Sequence, residues 1–329
     1  MAEMFLKCIT EYNLQEKIQG ITLDNVAANS TFMMELSKLL IQADYKFDPI
    51  NQHFRCFAHI FNFGVQDTLK VMNVEENENE LQEENEQNLS ENNEDDSLSD
   101  DEDSTELPYP ATVILKVRKT FVKLRRSEDL QLILQSFCNA SKTKYIKPIL
   151  DVSTRWKSTD NMIEVALKMR PALNLFWKNC DKVADLKLND DEWSLLIQIH
   201  KFLGDFKKVS TLLGGDQYVT LPLVIVAFNL LETKINKTIF SLDEKPDRNT
   251  VDEILLLAFQ KGRDKMLKHY HKTNWFYCCS LILDPRFKVE TFELTEWGQE
   301  IKDASMEFFE SIFRQEYCKL IKVSTRLVS

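Results

Sequence analysis

Glycine and proline are scarce in this chain, at 7 and 8 of 329 residues. Sheet-rich folds need many tight turns, which these two residues supply, so the scarcity points to helices. No apolar run approaches the ~20 residues that a membrane-spanning helix needs. The first residues, MAEMFLKCITEYNLQEK, lack an apolar core after a basic start, so no secretory signal is expected. No Cys-x-x-Cys pair occurs. The seven cysteines (Cys8, Cys56, Cys138, Cys180, Cys278, Cys279 and Cys318) are odd in number and scattered, which fits reduced thiols in a cytosolic or nuclear protein. A Gly-rich phosphate loop, a Ser–His–Asp arrangement and a dinucleotide fingerprint are also missing.

One stretch lacks a whole sign of charge. Residues 75–106 hold 16 Asp/Glu and no Lys or Arg. The chain carries −11 overall, yet the rest has 36 acids against 41 bases, a net +5. The protein is therefore a mildly basic body with an acidic insert. That insert cannot bury enough apolar surface to offset chain entropy, so it is expected to be disordered. Two roles stay open for it: a solvated spacer, or a regulatory segment that competes with DNA for a basic surface.

What is present is mostly helical periodicity. The pattern predicts a helix over 2–16, a strand over 19–23, a helix over 30–42, a short strand over 53–57 and a helix over 58–71. Strands alternating with helices suggest parallel pairing. From Pro110 onwards the pattern is almost wholly helical. A long helix is expected over 111–137 and another over 158–180. A third, over 190–213, should turn Trp193, Leu196, Ile197, Phe202, Phe206 and Val209 inwards. Asp190 is its expected N-cap and Gly214-Gly215 its stop. Further helices are expected at 221–239, 250–272 and 295–321, with Leu283-Asp284-Pro285-Arg286 as a turn.

Four constellations bear on chemistry. In GITLDNVAANSTF, Asp24 follows a short apolar run, where it reads either as a turn and helix-start residue or as a catalytic ligand. Two-metal phosphoryl chemistry needs several carboxylates, so Asp24 alone cannot build such a site. His53, Cys56 and His59 stand at spacing three, short of the four ligands that zinc usually takes. They read as a buried histidine and a core cysteine ahead of a metal site. His269 and His271 with Cys278 and Cys279 form a weaker set. Finally, Lys116, Arg118, Lys119, Lys123, Arg125 and Arg126 decorate the 111–137 helix, followed by Lys142, Lys144, Lys147 and Arg155-Trp156-Lys157. Cations beside an exposed aromatic suit phosphate contacts and base stacking. A solvated helix face, with Trp156 as a core anchor, is the alternative.

Three stretches in order then carry a resemblance: GITLDNVAANSTFM (20–33), FRCFAHIFNFGVQDTL (54–69) and ILDVSTRWKSTDNMIEVALKMRPAL (149–173). Together they resemble the hAT family of DNA transposases and their domesticated, BED-zinc-finger, ricesleeper-like relatives. The stretches 193–224 and LILDPRFK (281–288) are also similar to the family. The resemblance implies an RNase H-like catalytic domain interrupted by a large helical insertion. It implies cleavage and joining of DNA with two metal ions, Mg2+ or Mn2+, held by two Asp and a distant Glu. Asp24 matches the second Asp. Cys56 and His59 match a Cys-x-x-His motif of structural character. Arg155 and Trp156 match an Arg-Trp motif whose Trp is implicated in stacking on a flipped base, for which an aromatic surface offsets lost stacking.

The departures shape the expectation. The family's first Asp belongs upstream of residue 1, and its final Glu and BED finger find no match here. Asp24 is then a vestigial acid and a metal ligand only if partner acids are present, with no cofactor held by this chain. The expected fold is mainly α with a small α/β part, a truncated RNase H-like domain with a helical insertion. Its expected parts are 1–73 (partial RNase H-like segment), 74–108 (acidic insert), 109–180 (basic helical continuation) and 181–329 (insertion-type helical domain). The expected function is a transposase-derived, nuclear (or cytoplasmic and nuclear) protein without catalytic activity. It would bind DNA through Arg155, Trp156, Lys123, Arg125 and Arg126, or bind protein partners or copies of itself, with no membrane role. A sheet missing strands leaves an unpaired edge, so a partner or aggregation is expected. Two alternatives stay open: part of an active cut-and-paste transposase, and a helical interaction scaffold with no nucleic-acid role.

Overall fold

The computed structural model describes residues 1–72, 109–152, 155–270, 275–294 and 298–317. The acidic stretch 75–106, His271 and Cys318 lie outside the described residues, and so does the side chain of His269. The described residues are mainly helical with one small parallel sheet. The chain divides into two compact units, each assembled from separate stretches of sequence. The first takes 1–61, 208–234 and 266–329; the second takes 62–207 and 235–265. These limits do not coincide with the linear blocks expected at 73, 108 and 180.

The first unit opens with α1 (Ala2–Glu11), β1 (Ile21–Leu23), α2 (Ala27–Gln42) and β2 (His53–Arg55). Helix α1 ends five residues earlier than its periodicity suggested, because Asn13 takes a left-handed φ of 53°. Its apolar side meets α2 around Ala2, Ile9, Met33, Leu36, Leu40 and Phe47, with Phe5 edge-on to Phe32 at 5.7 Å. The strands pair in parallel, Ile21 opposite His53 and Leu23 opposite Arg55. Gly20 lies so close to the Phe54 ring that a Cβ there would overlap it. Later in the chain, α11 (Trp275–Leu283) supplies Phe276 and Tyr277, whose ring centres stand 5.8 and 5.5 Å from that of Phe54. The sequence did not reveal α11, whose continuous apolar run WFYCCSLIL carries no clear helical period. It leads into the expected turn, where Asp284 accepts the Arg286 amide at 2.9 Å. The last described helix, α12, is Gly298–Ile312, within the expected 295–321, and runs into a π-helical turn over Phe313–Tyr317; residues 295–297 and 318–321 of that expectation lie outside the described residues.

Four further helices belong to the second unit. Helices α4 (Tyr109–Arg126) and α5 (Glu128–Ala140) replace the expected single helix over 111–137. Ser127 breaks it: its backbone is extended, and its hydroxyl accepts the Leu130 amide at 3.3 Å, which starts a new helix. Likewise α6 (Trp156–Lys168) and α7 (Arg170–Asn179) replace 158–180, with Pro171 in the first turn of α7. A 3-10 helix follows over Asp181–Leu186.

Helices α3 (Phe57–Val71), α8 (Asp190–Leu213), α9 (Leu223–Asp243) and α10 (Thr250–Tyr270) each contribute residues to both units. Asn189, not Asp190, caps α8: its side chain accepts the Glu192 amide and its own amide donates to Glu192, each at 2.8 Å. Asn249 and Asp252 repeat this reciprocal box at α10. On α8, Trp193, Leu196, Phe202 and Phe206 are buried as expected, but Ile197 is exposed. In the second unit's core, Trp177 donates to Thr120 and Trp193 to Asn174, both at 3.1 Å, and Phe202 stacks on Phe259 at 4.1 Å.

Candidate nucleic-acid interface and the carboxylate beyond β1

Asp24 leaves the sheet at the carboxyl end of β1, where ligands of open parallel sheets commonly bind. Cys56 leaves at the same end of β2, and its amide donates to the Leu23 carbonyl at 2.8 Å. The structure therefore brings the two motif residues to one edge. The Asp24 side chain is exposed and is used locally. Its Oδ1 accepts the Val26 amide at 3.3 Å and the Asn29 side-chain amide. The Asn29 amide also reaches the Asp24 main-chain carbonyl at 3.3 Å. This is an Asx turn that launches α2. Beside it, the Nδ2 of Asn25 is buried without a hydrogen-bond partner among the described residues.

Two metal ions require several converging carboxylates. Among the described residues, no group of three or more His, Cys, Asp or Glu is placed to hold a metal ion. Asp24 alone does not fit the pair of ions that the family resemblance implies. The same holds for His53, Cys56 and His59. His53 is buried at the start of β2, with its Nε2 unpartnered among the described residues. Burial and then the charge of Arg55 hold its pKa below the ordinary imidazole value. The Cys56 carbonyl accepts the amides of His59 and Ile60 at 3.1 and 3.2 Å, so this residue starts α3. In α11, Cys278 and Cys279 are buried, and burial raises both thiols, Cys279 to about 11. Such thiols are packing groups rather than nucleophiles.

The basic residues fall into two sets. Some are spent inside the second unit. Arg118 is buried and grips Asp151, with Nε 2.8 Å from Oδ1 and Nη2 2.6 Å from Oδ2. Lys116 donates to Glu192 at 2.6 Å. Lys119 is half-buried. The others face solvent: Lys123, Arg125 and Arg126 at the end of α4, Lys142, Lys144 and Lys147 before α6, and Arg155 and Lys157 at its start. Lys123 also donates to the Lys182 carbonyl at 2.7 Å. Across 123–157 these eight exposed cations face two exposed carboxylates, Glu128 and Asp129. Trp156 does not join that surface. It is only 4% exposed, and the Lys157 ammonium lies 5.7 Å from its ring centre. In this conformation the Arg-Trp motif holds one outward cation and one inward anchor.

A polar cluster that the sequence reading missed lies in the same unit. Asp160, fully buried, meets His200 Nδ1 at 2.7 Å and the Lys207 ammonium at 2.9 Å. Lys207 also donates to Asn161 at 2.6 Å and Glu164 at 3.3 Å. Burial pulls the Lys207 pKa down, but the bond to Asp160 and its charge outweigh that and raise it. Glu164 is held low by Lys168 first, then Lys207. Asp160 lies inside the stretch STDNM that carried the resemblance, which was its one sequence signal.

Residues 104–202, which contain α4 to α7 and the start of α8, match the family model of the ZBED1 RNase-like helical domain. The chain is 26% identical over 312 residues to a putative transcriptional regulator tpeD of Talaromyces stipitatus, covering 91% of this chain and 31% of the relative. It is 25% identical over 300 residues to a putative AC transposase of Zea mays, covering 88% and 30%. A putative AC9 transposase of the same plant is 24% identical over 319 residues, covering 88% and 32%. No solved structure matches. The chain is a relative of the hAT-family transposases, and it spans about a third of the length of these curated relatives.

Proposed function

We propose that this chain is a DNA-binding part of a hAT-type, transposase-derived protein and that it does not cut DNA by itself. The observation that carries this is the set of eight exposed cations in 123–157, within the stretch that matches the family model. Their type and density suit contacts to phosphates, which give salt-sensitive, sequence-tolerant affinity. In this reading the β1–β2 sheet is the visible part of an RNase H-like domain, and Asp24 marks an inherited strand end. The nucleus is where such a role is exercised. The test is fluorescence anisotropy of a labelled duplex titrated with the chain at several salt concentrations. Binding that weakens steeply with salt supports the reading; no binding at low salt overturns it in favour of a helical scaffold.

A second reading, part of an active cut-and-paste enzyme, is favoured by one observation. Asp24 stands at the carboxyl end of a parallel strand, beside Cys56. Nicking of a supercoiled plasmid by this chain with Mn2+, abolished by Asp24→Asn, would establish it. Intact plasmid rejects it for this chain.

A further inference from the structure

The Asp151 side chain is fully buried, yet it stands four residues before the exposed Arg155. Besides the paired grip of Arg118 from α4, it accepts the Thr159 hydroxyl of α6 at 3.2 Å. One carboxylate thus ties together α4, the segment entering α6, and α6 itself. A second tie sits beside it. The Val152 amide donates to the Ser158 hydroxyl at 2.7 Å, the Arg155 amide to the Val152 carbonyl at 2.8 Å, and the Ser158 amide to the Arg155 carbonyl at 2.7 Å. The two ties flank Arg155 and Lys157.

A buried ion pair adds little net stability over an apolar pair of equal volume, because both charges lose their water. Its particular contribution is direction, since a two-bond guanidinium–carboxylate contact fixes distance and plane together. An apolar pair fills the same space without fixing either. From this geometry we infer that Asp151 is a positioning residue for the DNA-binding face, setting where Arg155 and Lys157 stand relative to the cations of α4. This inference rests on the DNA-binding reading proposed above. Asp151 itself touches no DNA.

The test uses the full chain with Arg118→Met and Asp151→Leu together, which removes both charges and keeps the volume. A single Asp151→Asn variant, which removes the carboxylate charge facing the buried Arg118 guanidinium, serves as the comparison. The double variant is expected to keep a thermal midpoint near that of the wild type. It should bind duplex DNA about fivefold more weakly, within the usual range for coupled neighbours. Placed on an Arg155→Ala, Lys157→Ala background, the same pair of changes should cost less than about twofold, because nothing is left to position. Amide hydrogen exchange at Arg155 and Ser158 should quicken in both Asp151 variants while that of α4 stays unchanged. Equal losses with and without Arg155 and Lys157 would show a merely structural pair and overturn the inference. If the wild type binds no DNA, the functional reading fails separately, and exchange at Arg155 and Ser158 still decides the positioning: unchanged protection refutes it.

Discussion

The hydroxyl of Tyr277 donates to the main-chain carbonyl of Arg55 over 3.0 Å, joining residues 222 positions apart in sequence. Arg55 ends β2, and burial raises the Tyr277 phenol well above its ordinary pKa. The bond lets a late helix complete the surroundings of an early strand. Tyr277→Phe keeps the ring contacts with Phe54 and Phe57 but leaves that carbonyl without its donor. The expected cost is about 1–2 kcal/mol in chemical denaturation, with no change in the denaturant slope.

Gly262 reports on packing in the second unit. A Cβ there would strike the Thr68 hydroxyl and come within 2.7 Å of the Gly64 carbonyl. Gly262→Ala would normally favour a helix; here overpacking should outweigh that, and the variant is expected to lose about 1–3 kcal/mol. A stabilised variant by thermal melting would contradict the close approach of these two backbones.

Trp156 separates a stacking role from an anchoring one. Its burial predicts that Trp156→Ala costs about 3–5 kcal/mol of stability, as for other large core truncations. Trp156→Phe should recover much of that and bind DNA as the wild type does. If Trp156→Ala instead keeps its melting temperature and loses DNA affinity, the ring leaves the core to stack on a base.

His53 gives a pH dependence with a definite sign. Its folded pKa lies below the ordinary imidazole value, so the unfolded chain takes up the proton more readily. Its contribution to stability is unchanged well above pH ~6.5, falls as pH drops below that, and levels off beneath the folded value. The melting temperature of the wild type should therefore fall more between pH 7.5 and 5.5 than that of His53→Leu. Parallel curves would place His53 outside the effect.

The acidic stretch offers a test of its two possible roles. Replacing its 16 acids by Asn and Gln takes the net charge from −11 to +5. A regulatory segment predicts DNA binding tighter by about tenfold at low salt, converging with the wild type at high salt. A spacer predicts only the small, uniform gain due to net charge.

Much of this was legible in sequence because it rests on local rules. Apolar spacing placed α2, α3 and α8, and the runs expected as strands at 19–23 and 53–57 contain both observed strands, each shorter than expected. The breaks at Ser127 and Met169 were missed because one apolar stripe continues across them, and a capping hydroxyl or a first-turn proline weakens a period without ending it. The motif order led to the transposase relationship, which no single spacing could have carried. Burial was the least legible. Arg118 and Arg155 both read as surface cations and Trp156 stayed open between a stacking surface and a core anchor; only tertiary packing separates the inward guanidinium and indole from the outward cation. The Asp160 cluster was invisible because His200 and Lys207 lie 40 and 47 residues away.

We propose that the exposed cations of 123–157 bind DNA phosphates. The most direct test compares the salt dependence of duplex binding for the wild type and for Lys123→Ala, Arg125→Ala, Arg126→Ala combined. Each cation lost from a phosphate contact should flatten the slope of log affinity against log salt by roughly 0.9. A slope reduced by about two to three, with cooperative unfolding retained, is the expected result. An unchanged slope, or no binding by the wild type at low salt, would show that these cations make no phosphate contacts.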